Sequence, residues 1–182
     1  QDEYGKSDEF GQKAMAVYLA NPEMDKMGLG NTYYNIGSQY IERGKHEKGV
    51  EFGEKALGIF LNLPSIDHPI IALCYNNVGL GYYKKGEPKK GIEYLKKAAK
   101  RGNVDAQFAI GYIHSRESND EIDEPVIAYG WYSIAAINGH YKSEAHRDTL
   151  AKQMSPEQVF AGQKLAKELQ NIVEMRPALV GS

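Results

Sequence analysis

Cysteine is almost missing from this 182-residue chain. The lone Cys74 excludes an internal disulfide and a cysteine-based metal cluster, and it leaves the redox compartment open. Neither sign of charge dominates. Twenty-two basic side chains against 24 acidic ones leave a net charge of −2 and a pI near 6.2, which gives no electrostatic footing for nucleic acid or an anionic membrane surface. No hydrophobic run reaches the roughly 18 residues of a membrane-spanning helix. Catalytic arrangements are missing too. The five histidines, at 46, 68, 114, 140 and 146, form no H-E-x-x-H or i, i+4 pair, and His140 and His146 are badly spaced to share one helix face as metal ligands. No glycine-rich phosphate loop and no nucleophile elbow occurs. The expectation is therefore no cofactor, no metal and no enzymatic activity.

What is abundant is tyrosine, thirteen residues, and glycine, nineteen. They recur in register. A shift of 42 residues lays Glu9-Phe10-Gly11-Gln12-Lys13-Ala14 on Glu51-Phe52-Gly53-Glu54-Lys55-Ala56 without a gap. The same shift carries Tyr33, Asn35, Gly37, Tyr40 and Gly44 onto Tyr75, Asn77, Gly79, Tyr82 and Gly86, and Pro22 onto Pro64. So many coincidences at one offset mark a tandem repeat.

Each unit reads as two helices. Tyr33, Ile36, Tyr40 and Ile41 recur at helical spacing, and Gly44 sits where a helix C-terminus wants a residue tolerant of the left-handed conformation. A second amphipathic stretch runs from Val50 to Leu61 and is ended by Pro64. The next helix is predicted to begin near Asp67-His68-Pro69, with Asp67 as N-cap and proline in the first turn. Gly37 and Gly79 each cost about 1 kcal/mol relative to alanine inside a helix. The expected return is close approach of the paired helix, with tyrosines filling the space beside it.

The spacing of Tyr33, Ile36, Gly37 and Tyr40, repeated at 75, 78, 79 and 82, resembles the opening W-x2-L-G-x2-Y of the tetratricopeptide repeat. Tyrosine replaces the leading tryptophan in both copies. Gly49 and Gly91, then Ala56 and Ala98, stand where that family places small residues in the second helix. The 42-residue period, and "DHPIIALCYNNVGLGYYKKG" at 67–86, resemble the long-helix subclass found in kinesin light chains. The likeness covers residues 1 to 101, with 1–22 an orphan or partial unit. From 102 to 154 the chain resembles Sel-one-like repeats instead, through Trp131-Tyr132, Ala135-Ala136 and Gly139, echoed by Ala98-Ala99 and Gly102. The joining stretch "SRESNDEIDEP" departs from that family's short glycine-rich form. Residues 155–176 read as a capping helix opened by Ser155 and Pro156, covering the last apolar face of a solenoid.

The resemblance implies an all-α fold, a right-handed α-solenoid of antiparallel helix pairs, whose first helices line a concave surface that binds a peptide or partner segment. Asn35 and Asn77 lie one step off the buried stripe, where an amide offers both a donor and an acceptor to a peptide backbone. The same geometry adds Asn31, Tyr34 and Ser38 in the first unit, Leu73, Asn76, Leu80 and Lys84 in the second, and Phe108 and Tyr112 in the third. The competing reading of the asparagines is plain solvation or capping of neighbours. Members that grip a terminal carboxylate use lysine, asparagine and arginine at fixed places. Asn31 and Leu73 stand where lysine would be needed, so that clamp is not expected.

Two charged stretches invite other readings and do not carry them. Glu117, Asp120, Glu121, Asp123 and Glu124 match neither the ligand spacing nor the central glycine of an EF-hand; with Pro125 they read as the start of a helix whose positive end favours carboxylates. The lysines at 84, 85, 89, 90, 96, 97 and 100 read as a solvated face. The expected function is a protein-protein interaction module or adaptor, which by analogy with Sel-one-like proteins points to bacterial assembly or secretion. A scaffold or homo-oligomerisation module without a groove ligand is the alternative. The Gln1-Asp2-Glu3 start is compatible with a mature chain after signal-peptide removal, which favours an exported setting slightly over a cytoplasmic one.

Overall fold

Four glycines with positive φ set the spacing of the fold: Gly44 (74°), Gly86 (90°), Gly102 (79°) and Gly139 (91°). At each turn the N–H of the next residue reaches the carbonyl five positions back. Lys45 N donates to Tyr40 O at 2.9 Å, Glu87 N to Tyr82 O at 2.9 Å, Asn103 N to Ala98 O at 3.2 Å and His140 N to Ala135 O at 2.8 Å. This six-to-one closure is the Schellman motif, and its left-handed residue is glycine because a Cβ is penalised there. The chain reverses within a few residues, so successive helices become antiparallel neighbours.

The computed structural model describes residues 13, 16–17, 20, 25–64, 69–116 and 124–174. Eight helices are traced among them: α1 (Lys26–Glu42), α2 (His46–Leu61), α3 (Pro69–Lys84), α4 (Pro88–Ala99), α5 (Val104–Arg116), α6 (Glu124–Ile137), α7 (Ser143–Ala151) and α8 (Pro156–Glu174). No strand occurs among the described residues. The fold class is all-α, helix pairs of the kind that build an α-solenoid. The expected N-cap at Asp67, most of the orphan unit 1–22 and the acidic stretch 117–123 lie outside the described residues. Two compact units divide the chain, residues 1–94 and 95–182, with the division falling inside α4.

In the first unit α2 packs against both α1 and α3. Its inward stripe is Val50, Gly53, Ala56, Leu57 and Phe60, the 3.6-residue period of a helix with one apolar face. Phe60, 1% exposed, contributes about 1.5–3 kcal/mol by burial. The facing residues of α1 are mostly glycine: Gly30 and Gly37 are buried beside Ile41. A Cβ on Gly37 would lie 3.0 Å from both Gly49 O and Gly53 N, and one on Gly91 would lie 2.8 Å from Gly79 O. Backbone therefore touches backbone where the paired helices cross, which is the close approach anticipated for these positions.

The tyrosines fill the wedge beside each crossing. Phe52 takes Tyr33 at 5.9 Å and Tyr40 at 5.6 Å between ring centroids. One repeat later Tyr94 takes Tyr75 at 6.1 Å and Tyr82 at 5.4 Å. A lysine caps each set, Lys48 over Tyr40 at 5.6 Å and Lys90 over Tyr82 at 4.0 Å, a favourable cation–π placement. The 42-residue period is thus a recurrence of whole three-ring clusters and their cations. The second copy differs by one hydroxyl group: Tyr94 stands where Phe52 stood. Its oxygen and that of Tyr82 both donate to Glu54 Oε1, at 3.1 Å and 2.6 Å.

In the second unit α6 is the hub, packing against α5, α7 and α8. Trp131, Tyr132, Ile134 and Ala135 are buried along it. A fully buried Gln107 donates from Nε2 to Ala99 O at 3.3 Å and accepts at Oε1 from Asn138 Nδ2 at 3.0 Å, so the polar group inside the unit is satisfied. α8 opens on a capping box: Ser155 Oγ accepts from Gln158 N at 3.2 Å, and Gln158 Oε1 accepts from Ser155 N at 2.9 Å. Gly162, Ala166 and Leu169 turn inward from α8.

Candidate functional site

The expected binding row falls on two helices of the first unit. On α1, Asn31 and Asn35 are exposed, and Tyr34 and Ser38 are half-buried. On α3, Leu73 and Lys84 are exposed, and Asn77 and Leu80 are half-buried. The spacing i, i+4, i+7 places 31, 35 and 38 on one face of α1, and 73, 77, 80 and 84 on one face of α3. What joins the two rows is a hydrogen bond from Asn77 Nδ2 to Ser38 Oγ. Ser38 itself donates to Tyr34 O at 3.1 Å, so its hydroxyl is fully oriented. Asn77 Oδ1 has no hydrogen-bond partner among the described residues and remains an acceptor.

Asn76 departs from the expected open row. It is 7% exposed, and its Oδ1 is buried without a hydrogen-bond partner among the described residues. Nine of the sixteen residues of α3 are buried, so the open arc of this helix is narrow. Position 76 faces outward by helical spacing alone but lies under its tertiary neighbours. Cys74 beside it is also buried, and burial pushes its thiol up to about 12.

Lys84 leads into a basic rim at the turns. Gly44, Lys45, His46, Lys48, Lys84 and Lys85 line an open cleft of about 520 Å³ there, with Glu47 the one carboxylate among the lining residues. Lys85 Nζ stands 3.1 Å from Glu87 and 3.6 Å from Glu47; Glu87 holds its pKa above the ordinary value. Lys45 and Lys48 lie over the Tyr40 ring at 5.8 Å and 5.6 Å. Sequence reasoning found Lys84 but missed Lys45 and Lys48, whose signal is a pair of cations spaced i, i+3 beside the turn glycine.

Phe108 and Tyr112 fall in the second unit and are described with it. Phe108 is half-buried within rings: it stacks on Tyr112 at 6.2 Å and on His140 at 4.2 Å, and meets His146 edge-on at 5.1 Å. Burial lowers the His140 pKa, against the opposing pull of Asp105, whose Oδ1 lies 3.7 Å from His140 Nε2. The two histidines converge because His140 sits in the turn after α6 and His146 on α7, although neither helix brings them together by itself. No group of three or more metal-ligating side chains occurs among the described residues. No helix among them is long and apolar enough to cross a membrane.

Residues 28–101 match the family model of the tetratricopeptide repeat, which spans α1 through α4. Repeats of this family are generally protein–protein interaction modules and typically non-catalytic. A comparison with curated proteins gives no match.

Proposed function

We propose that α1 and α3 together form the binding face for an extended or helical segment of a partner protein. The observation that carries this reading is the Asn77–Ser38 hydrogen bond, which links the two rows into one strip. Along it lie exposed amide groups at Asn31 and Asn35, an apolar contact at Leu73 and a cation at Lys84. Such a strip suits a backbone that offers alternating donors and acceptors plus an occasional large side chain. The tetratricopeptide match over the same residues supports it. We read the second unit as carrying Sel-one-like repeats, on the matched turns of Ala98-Ala99-Gly102 and Ala135-Ala136-Gly139.

Selection of a displayed random-peptide library on the purified chain supplies the probe. The best selected peptide is then titrated against wild type and against Asn35→Ala combined with Leu73→Ala. Both side chains are exposed, so the melting temperature is expected to hold while affinity falls about tenfold, or 1.4 kcal/mol. Equal affinity for the two proteins would sink the assignment.

A further inference from the structure

A second surface lies in the other unit and has a different chemistry. Between α6, α7 and α8 opens a cleft of about 550 Å³. Two large apolar side chains stand at it in the open, Ile137 at 65% and Phe160 at 70% exposure. Three cations line it, Arg147, Lys164 and Lys167, and no carboxylate does among the described residues. Arg147 is tied to Asp148 at 2.8 Å and to Glu144 at 3.7 Å. Lys164 and Lys167 are exposed and make no ion pair with a described residue.

Phe160, Lys164 and Lys167 follow one another at i, i+4 and i+7, a stripe about 10 Å long on α8. A stripe of this form, an aromatic anchor followed by two cations that have no ion pair among the described residues, fits a rod rather than a small molecule. We propose that this cleft docks an amphipathic helix of a partner protein, its apolar side against Ile137 and Phe160 and its acidic flank along Lys164 and Lys167. The helix-in-groove mode supplies the affinity through the apolar anchors, and the lysines select the sign of the flanking charge and speed encounter.

The probe is a fluorescein-labelled helical peptide of about 16 residues, some 24 Å long, with leucines at i, i+3, i+4 and i+7 and glutamates beside them. A twin carries lysine at every glutamate position. Anisotropy titration of the full chain is expected to favour the acidic peptide by about tenfold or more, with the preference shrinking as salt rises. Lys164→Glu with Lys167→Glu is expected to reverse the preference, and Phe160→Ala to weaken both peptides. Equal binding of the twins, or a preference unmoved by the double reversal, would overturn the proposal. So would sedimentation showing a dimer that Phe160→Asp dissolves, which would assign the cleft to a second copy of this chain.

Discussion

Replacing glycine by alanine in a helix is expected to help, and in this protein the same change is expected to help at one position and harm at another. At Gly58 on α2 an added Cβ would meet nothing within 4 Å. Alanine there gains its intrinsic helical advantage of about 1 kcal/mol. At Gly91 on α4 the new Cβ would lie 2.8 Å from Gly79 O and 3.0 Å from Tyr83 N. Both obstacles are backbone, so no side chain can rotate aside and the helices themselves must part. Overpacking of this kind costs about 1–3 kcal/mol, which cancels the propensity gain and leaves a net loss of up to about 2 kcal/mol. Gly37, with its nearest obstacles at 3.0 Å, is expected to fall between the two. Urea unfolding followed by far-UV circular dichroism reads the midpoints, and unchanged m values show that stability alone moved. For a unit of this size, 1 kcal/mol corresponds to about 4–8 °C in melting temperature. A Gly91→Ala protein as stable as Gly58→Ala would refute the view that these helices meet backbone to backbone.

Three further outcomes follow from named groups. Cys74, buried with its thiol pushed up to about 12, is expected to resist a thiol-disulfide reagent at pH 8 in the native state and to react at once in denaturant; fast native labelling would contradict the packing of α3. Tyr82 and Tyr94 are both raised to about 12, first by burial and then by Glu54. Their contribution to stability is therefore complete below pH 10 and is lost as pH rises toward 12. Glu54→Gln is expected to shift their titration, followed by absorbance at 295 nm, toward 10. Asn77→Ala removes the hydrogen bond to Ser38 and is expected to cost about 1 kcal/mol, in contrast to Asn35→Ala, which leaves the melting temperature unchanged.

The parts of the fold that were legible in the sequence are those where a backbone requirement admits few residues. Gly44 and Gly86 announce turns because the left-handed conformation selects glycine. Gly37, Gly49 and Gly91 announce helix crossings because a Cβ at each would meet the backbone of the partner helix at 2.8–3.0 Å. Ser155 announces the start of α8 for a similar reason, since few side chains accept from the first turn. The proposed binding face was legible only as a spacing. Helical periodicity orders Asn76 and Asn77 equally well on the outer side of α3, but the neighbours that bury the first and leave the second half-open are distant in sequence. The ring cluster around Phe108 was illegible for the same reason. Spacing along one helix says nothing of a histidine delivered by a turn, as His140 is, against another brought by α7. The cleft beside Phe160 escaped notice because a covering helix is judged by its inward side, whereas the cleft depends on its edge.

Glu54 belongs to the first helix pair, and its carboxylate accepts from Tyr82 and Tyr94 of the second. A stack of repeats held only by surface contact would peel from its end one pair at a time, like pages lifted from a pad. Here the first pair cannot lift without breaking two hydrogen bonds at once, each to a charged acceptor. Force applied at the amino end is therefore expected to meet one large rupture for both pairs rather than two small ones, and glutamine at position 54 is expected to lower that rupture force.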